Sequence, residues 1–115
     1  MTSNSRKQRG YDSQRIVATF LQPRGFPHAL SAGAGRSGTD VTGLIGIDLE
    51  VKARRDLDLP NMMRQMKARH RPGVLSIGVI RLNGQGEASI EEWPTVMRFG
   101  DSVSLWRQAG YGDPE

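Results

Sequence analysis

Residues 47–52 read Ile-Asp-Leu-Glu-Val-Lys, an alternation that restricts what the chain can become more than any other stretch does. In a β-strand successive side chains point to opposite faces. Ile47, Leu49 and Val51 therefore share one face, and Asp48, Glu50 and Lys52 share the other. The apolar face demands a core. The charged face is either the solvated side of an edge strand or a set of charges kept for chemistry. Three features favour chemistry. The strand lies mid-chain in a small domain, its charges form a carboxylate-x-lysine triplet, and a further acid, Asp40, stands upstream behind a glycine-containing segment.

Two carboxylates converging on one point make an oxygen site for a hard cation such as Mg²⁺, with Mn²⁺ as a substitute. Such a cation generates hydroxide from bound water and offsets charge on a transferring phosphoryl group. A lysine beside it orients that water or balances the developing negative charge. On this reading Asp40 and Glu50 are the metal ligands, the Val51 carbonyl supplies another oxygen, and Lys52 is the catalytic cation. The segment 40–54 reads as a hairpin, and register sets a condition. A two-residue turn pairs Leu44 with Ile47 and puts Asp40 on the wrong face. A three-residue loop or a glycine bulge within residues 43–46 puts Asp40 opposite Glu50.

The rest of the chain supplies helices around such strands. The 115 residues suggest one domain, 1–115, with residues 1–8 polar and expected to be flexible. Residues 11–22 place Ile16, Val17, Phe20 and Leu21 on one helical face, with Asp12 or Ser13 as cap. A short strand and the loop Ser-Ala-Gly-Ala-Gly-Arg-Ser-Gly precede the charged strand. Residues 56–70 form a second helix, with Pro60 in its first turn and Met62, Met63 and Met66 facing a core or a subunit contact. Residues 73–82 are an apolar buried strand. Another strand runs across residues 88–99, at an edge or bent because of Pro94. A short closing helix is capped by Asp101 or Ser102 and stopped by Gly110. The order α-β-β-β-α-β-β-α describes an α/β fold with a mixed central sheet flanked by helices.

Charge points to a polyanion. The net charge is +4 and the isoelectric point about 10.1. Residues 1–55 hold nine Lys and Arg against four Asp and Glu, whereas residues 72–115 hold three against six. Positive charge therefore accompanies the odd strand. Arg54, Arg55, Arg64, Lys67, Arg69 and Arg71 are available to neutralise phosphates, and Arg36 on the glycine-rich loop can meet DNA or stay solvated. The chain has no cysteine, so disulfides and thiolate metal sites are excluded. His28 and His70 lack ligand spacing and read as surface or helix-end residues. No apolar run is long enough to span a membrane, no secretory signal is expected, and the glycine-rich loop lacks a P-loop ending, so no nucleotide cofactor is implied. Trp93 and Trp106 read as structural residues.

Taken together, "RGYDSQR" opening the first helix, "SAGAG", an acid at the head of a strand, "LEVK" and a glutamine on the following helix resemble the PD-(D/E)XK nuclease superfamily. They are most similar to the small archaeal-type Holliday junction resolvases and their phage-encoded relatives. The likeness covers residues 9–66. It implies a restriction-endonuclease-like core, with Asp40 and Glu50 as metal ligands and Lys52 as the catalytic lysine. It also implies DNA contacts by Arg9 and Arg15, Ser31 near the scissile phosphate, and Gln65 hydrogen-bonding beside the site; the last two read equally well as surface residues. Where the family has a glutamate on the first helix this chain has Gln14, a poorer metal ligand. Either Gln14 itself, Asp48 on the face of Glu50 or, less readily, Asp12 completes the site.

The expectation that follows is a cytoplasmic, Mg²⁺-dependent endonuclease cutting four-way DNA junctions during recombination or phage DNA processing, in the host cytoplasm if phage-encoded. With one site per chain and two cuts per junction, a homodimer is expected, its interface on the second helix or the 75–82 strand. The alternatives are a nuclease for other branched, nicked or single-stranded DNA, and a non-catalytic DNA-binding module on a decayed nuclease fold.

Overall fold

A computed structural model describes residues 3–33, 39–53 and 55–114, with side chains from residue 8 onward. Along the chain come α1 (Ser3–Leu21), a 3-10 turn (Gln22–Arg24), β1 (Leu30–Ser31), β2 (Val41–Thr42), β3 (Ile47–Lys52) and α2 (Leu59–Ala68). Then follow β4 (Leu75–Ile80), a 3-10 segment (Glu87–Glu92), β5 (Thr95–Val96) and α3 (Phe99–Gln108). The result is an α/β fold with a mixed sheet. β4 lies between β3, which it pairs in parallel, and β5, which it pairs antiparallel.

The parallel register sorts the side chains of this sheet. Asp48 lies beside Ser76, Glu50 beside Gly78 and Lys52 beside Ile80. Partners in register share a face, so one side of the sheet carries Ile47, Leu49, Val51, Ile77 and Val79. That side packs on Val17 and Ala18 of α1, with Trp93 closing the cluster. The opposite side receives α2, whose Met62 and Met66 pack against Ile80, with Leu57, Met63 and Val96 around them. Gly78 sits under this contact because a Cβ there would run into the Met62 methyl and come within 2.8 Å of Val96 Cγ2. The methionines face their own core, and β4 is the central strand. Of the apolar residues on α2 and in 75–82 from which a dimer interface was expected, Met62, Met66 and Ile80 are used within the chain, whereas Leu59 and Leu82 are exposed.

Local differences from the sequence reading have identifiable causes. Helix α1 begins at Ser3 rather than near residue 11. Arg6, Lys7, Gln8 and Arg9 in its early turns are good helix formers, and Asp12 accepts from Gln8 Nε2 at 3.1 Å and Arg15 Nη2 at 3.2 Å, one turn either side. Asp12 and Ser13 are therefore mid-helix residues, not caps. Ser13 is fully buried, donating to the Arg9 carbonyl at 2.7 Å and accepting from Arg81 Nη1 at 3.2 Å. The strand expected over residues 88–99 shrinks to Thr95–Val96. Ser89 Oγ accepts from Gly86 N and donates to Gly86 O, and this local bonding favours a 3-10 turn over extended chain. Trp93 is buried as expected and donates from Nε1 to Gly86 O at 3.1 Å. Trp106 is not a core residue: it is half exposed on α3, edge-to-face against Phe99. Asp101 does not cap α3 either; it sits in the first turn, paired with Arg98 at 3.0 Å.

The largest correction concerns the hairpin. β2 pairs antiparallel with β1, with Leu30 beside Thr42 and Ser31 beside Val41, and it belongs to a separate two-stranded sheet. No odd-length hairpin turn joins β2 to β3. Residues 43–46 form the connection, with positive φ at Gly43 and Gly46. The two glycines differ in surroundings. A Cβ on Gly43 would strike the carbonyl of His28, whereas one on Gly46 would meet open space. Gly43→Ala is expected to destabilise the fold by at least about 2 kcal/mol and Gly46→Ala by about 1 kcal/mol, from left-handed strain with and without a backbone clash. Urea denaturation of both variants checks this, and equal losses would contradict the placement of Gly43 against the His28 carbonyl.

Candidate active site

Strand β3 ends one sheet, and its outer edge would expose unpaired backbone groups. Thr39 and Asp40 cover that edge with their side chains and with one backbone bond. Thr39 Oγ1 accepts from Leu49 N at 3.1 Å, and Asp40 N donates to Leu49 O at 2.8 Å. Asp40 Oδ2 then accepts from Val51 N at 2.7 Å. The acid thus reaches β3 by standing in for a strand partner, at the residues flanking Glu50, rather than through cross-strand pairing. This corrects the expected Asp40–Glu50 register.

From that edge Asp40 feels the charges beside it. Burial raises its carboxyl pKa above the usual value, against the lowering effect of the Val51 hydrogen bond. Glu50 raises it further, while Lys52 and Arg69 lower it. Asp40, Glu50 and Lys52 therefore share one electrostatic neighbourhood. Within it Lys52 Nζ lies 3.0 Å from Glu50 Oε1, the two side chains adjacent on the same face of β3.

Asp48 and Glu50 are only 6% and 5% exposed, packed under the C-terminal end of α2. Their counter-charge is Arg69. Its Nε and Nη2 hold the two Asp48 oxygens at 3.2 and 3.1 Å, a two-pronged carboxylate grip. Its Nη1 approaches Glu50 Oε2 at 2.7 Å. That approach is close but not aligned as a hydrogen bond, and Glu50 Oε2 is left buried without one. Burial lowers the Arg69 pKa, but the two carboxylates beside it, Asp48 and Glu50, outweigh it and raise it overall. The assignment of Arg69 to phosphate neutralisation is corrected: it is an interior ion-pair partner. The helical spacing carried a signal, because Met62, Met66 and Arg69 fall at i, i+4 and i+7, the stripe that faces the sheet.

The other candidates are distributed as follows. Gln65 is exposed and lines a cleft with Lys52, Asp58, Asn61 and Met62. Ser31 stands beside Val41 in the small sheet, and Ala32 N donates to Asp40 O at 2.9 Å, so this strand abuts the Asp40 backbone. Gln14 is half-buried with Oε1 lacking a hydrogen bond, as Ser76 Oγ also does. Arg9 donates to the carbonyls of Ala53 at 3.3 Å and Leu82 at 3.4 Å, tying α1 to the ends of β3 and β4. Arg15 is exposed and paired with Asp12. Arg55 and Lys67 are exposed. Arg36 and Arg54 lie outside the described residues. Among the described residues no group of three or more acids, histidines or cysteines is gathered closely enough to hold a metal on its own. Among them, too, no helix is long and apolar enough to cross a membrane.

No protein-family model matches the chain, and no curated protein or solved structure matches it.

The burial of Asp40 has a stability consequence. A carboxyl whose folded pKa is raised above 3.8 favours the folded state when protonated, and that contribution is lost as pH rises through the folded value. Asp40→Asn keeps an oxygen for Val51 N and removes the charge. In EDTA the variant is expected to melt above wild type at pH 7, the gap closing as pH falls toward 3.8. A variant melting below wild type at pH 7 would show that the ionised carboxylate stabilises the site instead.

Proposed function

We propose that the protein is a divalent-metal-dependent DNA endonuclease that hydrolyses phosphodiesters at branched DNA, four-way junctions first among them. One observation carries this reading: an acid from outside the strand, Asp40, is held against the edge of β3 at Val51, beside a Glu50–Lys52 pair 3.0 Å apart. Structural needs account for each contact singly. They do not account for two buried carboxylates, Asp48 and Glu50, paired with Lys52 and Arg69, together with a third, Asp40, that feels the charges of Glu50, Lys52 and Arg69. Counted as ionised groups the cluster is one positive charge short.

The donor set suits a hard cation. Asp40 and Glu50 would hold it, with the Val51 carbonyl as a further oxygen, and the buried Glu50 Oε2 without a hydrogen bond is an oxygen able to serve. When bound, Mg²⁺ or Mn²⁺ supplies an activated water and offsets charge on the phosphate. The chain's own contribution is positional. Lys52, partly exposed beside the cleft that Gln65 also lines, offers a cation to a phosphate oxygen or to the attacking water. Gln65 offers an amide to the same cleft. Exposed Arg15, Arg55 and Lys67 attract the polyanion, and the basic excess of residues 1–71 supports DNA as the partner. A second copy would provide the second cut.

A second reading, a DNA-binding module that does not cut, is favoured by one observation: Arg69 already occupies Glu50. Cleavage of a synthetic four-way junction and of linear duplex, in Mg²⁺ and in EDTA, separates the two. Wild type is expected to cut the junction in Mg²⁺ alone. Glu50→Gln and Lys52→Ala should keep junction binding and lose at least about 10²-fold in rate, the scale of removing one charge-stabilising group. Metal-independent binding with no cutting would establish the second reading, and equal cutting of duplex would remove the junction preference.

A further inference from the structure

Arg69 makes two unlike contacts. Toward Asp48 it presents the Nε–Nη2 edge in a complete two-bond grip, at 3.2 and 3.1 Å. Toward Glu50 it presents Nη1 at 2.7 Å, with the oxygen left without a hydrogen bond. The first contact is directional and engages both oxygens of the Asp48 carboxylate. The second is a close ion pair without that two-pronged grip, on an acid that already has Lys52 on its other oxygen. Arg69 also stands where movement is possible. It follows the last residue of α2, and its side chain is 24% exposed.

We propose that Arg69 is an exchangeable counter-ion that gates the metal site: without metal it neutralises Glu50, and a divalent cation binds by displacing it from Glu50 while Asp48 keeps hold of it. This rests on the reading of Glu50 as a metal ligand. The site then has two states. In the closed state Arg69 spans Asp48 and Glu50, so the buried acids are compensated and the fold stands without metal. In the open state Arg69 rests on Asp48 and Glu50 faces the cation. Asp48 is thereby given a role outside the ligand set: it anchors the displaced guanidinium, so that opening leaves no buried charge unpaired. Arg69 is a positioning residue in this scheme, and it sets cation affinity through competition, because every binding event must break the Arg69–Glu50 contact.

The test is direct cation binding to the full chain by isothermal titration calorimetry with Mn²⁺ and Mg²⁺, on wild type, Arg69→Gln and Arg69→Lys. Removing the competitor should tighten cation binding by about tenfold in Arg69→Gln. Arg69→Lys, which keeps a charge but loses the fork, should fall between it and wild type. In EDTA, Arg69→Gln should melt below wild type, and added Mg²⁺ should raise its melting temperature more than it raises that of wild type. A purely structural Arg69 predicts lowered melting temperature with unchanged or weakened cation binding, and that result would overturn the proposal. Should Arg69→Gln not fold, the Nε–H resonance of Arg69 in wild type is followed during Mg²⁺ titration. A saturable shift at the calorimetric affinity supports exchange, and an unmoved resonance with cation bound overturns it. Absence of cation binding by wild type and by Arg69→Lys would instead remove the metal site itself, and this proposal with it.

Discussion

Two carboxylates, Asp48 and Glu50, lie one above the other on the face of β3 that α2 covers, and both are almost fully buried. Most of the local architecture follows from how they are tolerated. An unpaired buried charge costs several kcal/mol, and losing one partner of a buried pair costs about 3–5 kcal/mol, a large part of a small domain's margin of about 5–15 kcal/mol. Arg69 supplies the guanidinium, Lys52 the second cation, and α2 is placed so that its C-terminal end delivers Arg69 while Met62 and Met66 fill the remaining space. Gly78 completes the arrangement, since a side chain beside Glu50 would push α2 away.

The two faces of β3 have different purposes. Leu49 and Val51 hold the sheet to α1, and they define the strand. Replacing the acids behind them with apolar residues of similar size would, by general experience with buried ion pairs, cost nothing or add stability. A polar cluster kept where an apolar one would serve is the expected mark of a functional site. The edge cover has the same character. Thr39 and Asp40 satisfy Leu49 and Val51 with side chains, where ordinary strand pairing would satisfy them without placing an acid there.

The alternation in residues 47–52 made the two faces of β3 legible, and the order of helices and strands followed from apolar periodicity and from Pro and Gly punctuation. Partners across space were not legible. β2 pairs with β1 rather than β3, because a hairpin is inferred from nearness in sequence whereas Leu30 and Ser31 compete for the same edge from ten residues upstream. Asp40 was expected near Glu50 through ladder register; it arrives through a side-chain hydrogen bond to Val51 N, which no periodicity encodes. Arg69 was placed among surface cations because charge is read as exposed by default, although its spacing from Met62 and Met66 put it on the buried stripe. Asp12 and Ser13 were misplaced as caps since both favour helix starts, while here neighbouring side chains and Arg81 hold them mid-helix.

The proposed chemistry requires that Asp40 and Glu50 together hold a divalent cation. Anomalous diffraction from crystals grown with Mn²⁺, recorded at the manganese edge, addresses this without reference to any substrate. One strong peak is expected within coordination distance of both carboxylates, with Arg69 withdrawn from Glu50 and still on Asp48. A map with no such peak, and with Arg69 still 2.7 Å from Glu50, would contradict it.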